Sequence, residues 1–138
     1  MILYIDSNIF IGAILAAGNK GTVCKSILDA VLDGGLRAMT ASLTFDEVVW
    51  KLRPIIGYDI ALTSVGHLLE SPLVIASVDV RTIRESLDIA RQFALHPRDA
   101  IYAATMKLNG SQELCSTDPD FDAVPWITRI PPEKYWKH

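Results

Sequence analysis

The chain has 138 residues, half of them hydrophobic, with 16 acidic against 13 basic side chains and a formal net charge of −3. That length suits one domain, residues 1–138, with a full core and apolar surface left for a subunit interface. The charge argues against a general nucleic-acid binder drawn in by net attraction, and two distant cysteines, Cys24 and Cys115, without a CxxC pair, exclude a zinc ribbon or a disulfide framework.

The first element is Ile2-Leu3-Tyr4-Ile5, a short apolar run suited to a strand buried on both faces, closing on Asp6-Ser7-Asn8. Asp6 breaks any signal-peptide pattern. The uncharged stretch from Ser7 to Asn19 is too short to span a bilayer, so a cytoplasmic protein with no membrane contact is expected. Ile9 to Ala17 reads as a helix ended by Gly18-Asn19-Lys20-Gly21, and Thr22 as the cap of the next, with Val23, Ile27, Ala30 and Val31 at helical spacing. Gly34-Gly35 ends that helix, and Leu36 to Thr40 is a second strand. Ser42 or Thr44 opens a helix through Glu47 and Trp50 that should stop by Pro54.

Tyr58 to Glu70 is a further helix with Ala61, Val65, Leu68 and Leu69 on one stripe, and Leu73 to Ala76 a third buried strand. Val80 to Ala94 carries the stripe Ile83, Leu87, Ala90 and Ala94. Pro97 suits the first position of a helix that ends at Asn109-Gly110. Glu113 to Ser116 is a fourth strand and Trp126 to Ile130 a short fifth. Strands alternating with helices argue for an α/β fold on a parallel sheet with helices on both faces.

On that map the acids Asp6, Glu47, Asp99 and Asp118 all fall at strand ends or in the first turns of the following helices. In an open parallel sheet this edge carries the ligand crevice. Each acid has a structural explanation too. Asp6 is a helix cap, Glu47 the fourth member of a Thr44-x-x-Glu47 capping box, Asp99 a partner for the helix dipole, and Asp118 the start of an Asx turn before Pro119. Two carboxylates about 4 Å apart repel by about 4 kcal/mol at an effective dielectric of 20. A divalent cation is the natural compensation, and an all-oxygen set suits Mg²⁺ or Mn²⁺ over zinc. Lys51, Arg53, Arg98 and Lys107 are candidates to hold flanking phosphates. Trp50 and Phe121 read as core or interface, Met106 as packing, His67 as surface and His96 as a cap.

Taken together, Ile5-Asp6-Ser7-Asn8, Thr44-x-x-Glu47, Arg98-Asp99-Ala100-x-x-x-Ala104 and Ser116-Thr117-Asp118-Pro119-Asp120-Phe121 resemble a PIN domain, in its motif order and across essentially the whole chain. In size the chain is similar to the VapC-type toxins. The resemblance implies a three-layer α/β/α sandwich on a parallel sheet of four or five strands. It implies Mg²⁺- or Mn²⁺-dependent endonucleolytic cleavage of RNA, with Asp6, Glu47, Asp99 and Asp118 as the acidic quartet. Of these, Asp6, Asp99 and Asp118 would hold the metal. Ser7, Asn8, Ser116 and Asp120 would be the supporting polar residues. It also implies a homodimer silenced by a cognate antitoxin. The rival readings are a PIN-like module that binds RNA or protein without cutting it, and a haloacid-dehalogenase-type phosphatase. The latter needs an acid where Asn8 stands. No GxGxxG or Walker loop supports a nucleotide-binding domain.

Overall fold

The computed structural model describes residues 2–135. Its strands are β1 (Leu3–Ile5), β2 (Ala38–Ala41), β3 (Val74–Ala76), β4 (Glu113–Cys115) and β5 (Thr128–Ile130). Its helices are α1 (Ser7–Leu15), α2 (Gly18–Leu32), α3 (Thr44–Ile56), α4 (Tyr58–Leu69), α5 (Val80–Phe93) and α6 (Pro97–Leu108), with 3₁₀ turns at Pro119–Ala123 and Pro132–Tyr135. All strands are parallel, in the order β3-β2-β1-β4-β5, so the chain winds outward from β1 on one side and then crosses to the other.

Strand alternation sorts two cores onto the two faces. Leu3, Ile5 and Ala38 point into a cluster with α1 to α4, built on Ile9, Phe10, Ile27, Val48, Leu52 and Val65. Tyr4, Met39 and Ala41 point into the other, with Ile89, Tyr102, Ala103, Met106 and Phe121. The result is the expected three-layer sandwich. Both cysteines are buried and free. Among the described residues no helix is long and apolar enough to cross a membrane.

Several local expectations shift. The stretch Gly18-Asn19-Lys20-Gly21 is the first turn of α2 and not a break. A Cβ on Gly21 would stand 2.6 Å from the Ala16 carbonyl carbon, and one on Gly12 2.8 Å from Cys24 Sγ, so these glycines let α1 and α2 fold back tightly. Thr22 bonds back to the Gly18 carbonyl inside the helix and caps nothing. Helix α3 runs through Pro54 and ends against Gly57, whose φ is +88°. Pro54 and Trp50, the residue whose carbonyl loses its partner, are both on the exposed face, where water replaces the missing bond. On α5 the buried face is Thr82, Ser86 and Ile89, while Ile83 and Leu87 are exposed. Thr82 closes a capping box with Asp79, and the Ser86 hydroxyl donates to the Ile83 carbonyl. Small, internally satisfied hydroxyls thus occupy the buried face of α5, where an apolar stripe was expected. Leu69 likewise lies outside the buried stripe of α4.

Candidate functional site

Parallel register builds the site. Ile5 pairs with Cys115, so the residues that follow them, Asp6 and Ser116, stand side by side past the strand ends. This is where the strand order reverses, the position at which open α/β sheets bind ligands. Asp6 caps α1 and is 5 % exposed. Its Oδ1 accepts the Ser7 backbone N–H at 2.8 Å. Its Oδ2 accepts the Ser116 hydroxyl at 2.6 Å and the Asn8 amide at 3.3 Å. Ser116 Oγ in turn accepts from Asn8 Nδ2 (3.3 Å) and from the Asp118 backbone N–H (3.0 Å). One fully buried hydroxyl therefore ties β1 to the loop after β4. Burial pushes the Asp6 carboxyl up, the Ser116 and Ser7 hydrogen bonds oppose this, and the charges of Glu47 and Asp118 add to the rise.

Asp118 caps the turn Pro119–Ala123 and accepts the Asp120 N–H at 2.9 Å, the Asx arrangement. The same turn swings the Asp120 carboxylate toward Asp99, in the first turn of α6. Asp99, Asp118 and Asp120 each offer an oxygen, all lying within 4.8 Å of one another. No ion pair joins any of the three among the described residues. Burial raises the Asp99 carboxyl to about 6, and the charges of Asp118, Asp6, Glu47 and Asp120 push the same way. An all-oxygen, uncompensated cluster of this kind fits a hard divalent cation. Asn8 Oδ1, buried and without a hydrogen-bond partner among the described residues, is a further acceptor on the Asp6–Ser116 side of the site. Asp6, placed with Asp99 and Asp118 on sequence grounds, lies outside the trio; Asp120 completes it.

Glu47 is a different kind of acid. It is 7 % exposed, in the first turns of α3, and closes no capping box: Leu43 occupies the cap position, and Thr44 Oγ1 pairs with Thr40 Oγ1 at 2.7 Å. Lys51 Nζ stands 3.0 Å from Glu47 Oε2 and Arg98 Nη1 3.4 Å from the same oxygen, while Tyr102 donates its hydroxyl to Oε1 at 2.8 Å. Burial pushes the Glu47 carboxyl up, but hydrogen bonds from Ser7, Lys51 and Tyr102 outweigh it, and its pKa falls below the usual value. Two of the cations assigned to phosphates on sequence grounds thus neutralise Glu47. Lys107 pairs with Glu85, and Arg53 lies over the Tyr58 ring, 5.5 Å from its centroid.

Tyr102 is the site residue that sequence reasoning missed. Its spacing of three from Asp99 was the available signal, since i and i+3 share a helix face. Tyr102→Phe is expected to cost about 1–2 kcal/mol and to raise the Glu47 pKa, because a donor to a buried carboxylate is lost. A carbon-detected NMR titration of the Glu47 carboxyl checks this; an unmoved titration would leave Lys51 and Ser7 in sole control.

An α/β sandwich with a carboxylate-lined crevice at its switch point is the class of protein this geometry defines. The PIN domain family model matches residues 3–127, and the chain belongs to that family. Among curated protein sequences none matches the chain. Solved structures match in fold. VapC20 from Mycobacterium tuberculosis, described as a toxin that cleaves the sarcin-ricin loop, is 16% identical with a TM-score of 0.73, over 88% of this chain and 93% of its own. The DNA-bound VapBC from Salmonella typhimurium is 17% identical with a TM-score of 0.74, over 96% and 98%. FitAcB from Neisseria gonorrhoeae is 15% identical with a TM-score of 0.67, over 96% and 99%.

Proposed function

We propose that the protein is a divalent-cation-dependent endoribonuclease, the toxin of a toxin–antitoxin pair. The observation that carries this is the trio Asp99, Asp118 and Asp120, three mutually close carboxylates with no cation paired to them among the described residues, in a member of the PIN domain family. Asp6, Glu47, Asp99 and Asp118 form the proposed catalytic quartet. Asp99 and Asp118, with Asp120 and with Asp6 behind them, hold Mg²⁺ or Mn²⁺. When bound, the cation supplies positive charge against the scissile phosphate and a water acidified to near neutral pH. Ser116, Ser7 and Asn8 keep the Asp6 carboxylate oriented through its hydrogen bonds. Glu47 stays ionised and, with both oxygens engaged, fixes Lys51 and Arg98 at the rim, where they face a phosphodiester.

The neighbouring VapBC structures are complexes in which a toxin is held with its partner. By extension this chain is proposed to be a cytoplasmic homodimer restrained by a cognate antitoxin. The test is incubation of purified protein with labelled single-stranded and hairpin RNAs, in Mn²⁺ and in EDTA, beside Asp6→Asn. Cutting in Mn²⁺ alone that Asp6→Asn lacks is the expected result. RNA bound but uncut at saturating Mn²⁺ would make the protein a binding module.

A further inference from the structure

Trp50 is 66 % exposed, although as a tryptophan in a hydrophobic sequence it reads as core or interface. It stands on the outer face of α3, where Trp50, Lys51, Arg53 and Pro54 line a cleft of about 660 Å³. Two of these four residues are cations and none is acidic. In a chain of net charge −3, whose neighbouring crevice concentrates carboxylates, this is a cationic recess of opposite sign to the site beside it.

The cleft is joined directly to that site. Lys51 lines it, and the same Lys51 ammonium lies 3.0 Å from Glu47 Oε2. Arg53 stands one helical turn from Trp50, its guanidinium held over the Tyr58 ring. Pro54, four residues after Trp50, shares its face of the helix. An exposed indole, a proline ring and two basic groups together offer a flat π-surface with phosphate-binding groups at its margin. Single-stranded nucleic acid is gripped by these two parts: bases stack on aromatic rings and cations follow the backbone.

We propose that this cleft receives one unpaired nucleotide of the RNA, its base stacked on Trp50 and its phosphate between Lys51 and Arg53, flanking the bond held at the acidic site. The inference rests on the ribonuclease reading and narrows its substrate to RNA that is single-stranded at that nucleotide. A base-paired nucleotide has its faces covered by its neighbours and offers nothing to stack. The recess is chemically asymmetric: Glu47 already accompanies Lys51, but Arg53 has no carboxylate partner among the described residues, so an apolar peptide side chain would bury the indole and leave Arg53 without a counter-charge, whereas a nucleotide satisfies both the ring and the guanidinium.

The test measures binding of a fluorescein-labelled oligouridylate and oligoadenylate by anisotropy in Ca²⁺, with Mn²⁺ cleavage of the same RNAs by wild type run in parallel. Trp50→Ala is expected to weaken single-strand binding about tenfold, and Trp50→Phe, which keeps a stacking face, by less than about threefold. Arg53→Gln is expected to lower the slope of log affinity against log salt by about one. Binding of a base-paired duplex is expected to be equal for wild type and Trp50→Ala. If wild type cleaves RNA while Trp50→Ala binds the single strands undiminished, the nucleotide pocket is overturned and the ribonuclease reading stands. The apolar side chain of a protein partner would then be the occupant to pursue. If wild type neither binds nor cuts any RNA, both readings fall together.

Discussion

Asp99→Asn is expected to reduce metal-dependent RNA cleavage by about a thousandfold or more and, at the same time, to stabilise the metal-free protein by about 1–2 kcal/mol at neutral pH. The activity loss follows from removing one of three carboxylates proposed to hold the cation, whose transition-state contribution amounts to several kcal/mol. The stability gain follows from linkage. Asp99 has a pKa of about 6 in the folded protein, above its ordinary value near 3.8, because burial and then Asp118, Asp6, Glu47 and Asp120 disfavour its charge. Between these two pH values the folded state binds a proton that the unfolded state releases. Stability therefore falls as pH rises through that window, and the penalty is complete above pH 6. Half-exposure of the group screens the effect and keeps it at the lower end of what the shift would allow. Urea unfolding of both proteins in EDTA checks this. Wild type and variant should coincide below pH 4 and separate above pH 6, with the variant more stable. A variant that is less stable at pH 7, or that retains wild-type turnover in Mn²⁺, would remove Asp99 from the site.

Ser116→Ala is expected to destabilise the protein by about 2–3 kcal/mol and to lower its Tm by roughly 6–12 °C. The hydroxyl is fully buried and makes three hydrogen bonds: it donates to Asp6 Oδ2 and accepts from Asn8 Nδ2 and from the Asp118 backbone. Alanine leaves two donors facing a methyl group and takes a donor from a buried carboxylate. The Asp6 pKa should rise further, since the Ser116 bond is the strongest force holding it down. Cleavage is expected to drop about 10–100-fold, the usual cost of losing a group that orients a metal-binding carboxylate. Thermal unfolding in EDTA, with an NMR titration of Asp6, measures both effects. A Tm within about 1 °C of wild type would mean that Asp6 and Asp118 hold their positions without Ser116.

Much of this was legible in the chain. The five strands fall where short runs bounded by turn signals were expected, and the acids fall at strand ends or in the first turns of the helices. What misled were features that local pattern represents poorly. The glycines before Thr22 suggested a break, yet they permit the close approach of α1 and α2. Pro54 suggested a helix end, yet the bond it forfeits faces solvent. The apolar residues of α5 suggested a buried stripe, yet Thr82 and Ser86 share its buried face with Ile89. Trp50, read as core or interface, lies outside the core on the exposed face of α3, because hydrophobicity alone does not say which way a helix rolls.

The sequence by itself determined the layered α/β plan and the set of acids at one edge, because strand length, helical period and capping chemistry are local properties; the central place of β1 came from the strand order. Only the tertiary structure decided what each acid does. Parallel register brought Ser116 against Asp6. The 3₁₀ turn brought Asp120 beside Asp99. Across the end of the sheet, α3 and α6 bring Glu47 together with Arg98 and Tyr102, so that among the described residues one carboxylate has cationic partners and the three of the trio have none. Those distinctions depend on Coulomb interactions and hydrogen bonds across residues far apart in the chain. Such interactions fall off over a few ångströms of space and have no counterpart in sequence separation.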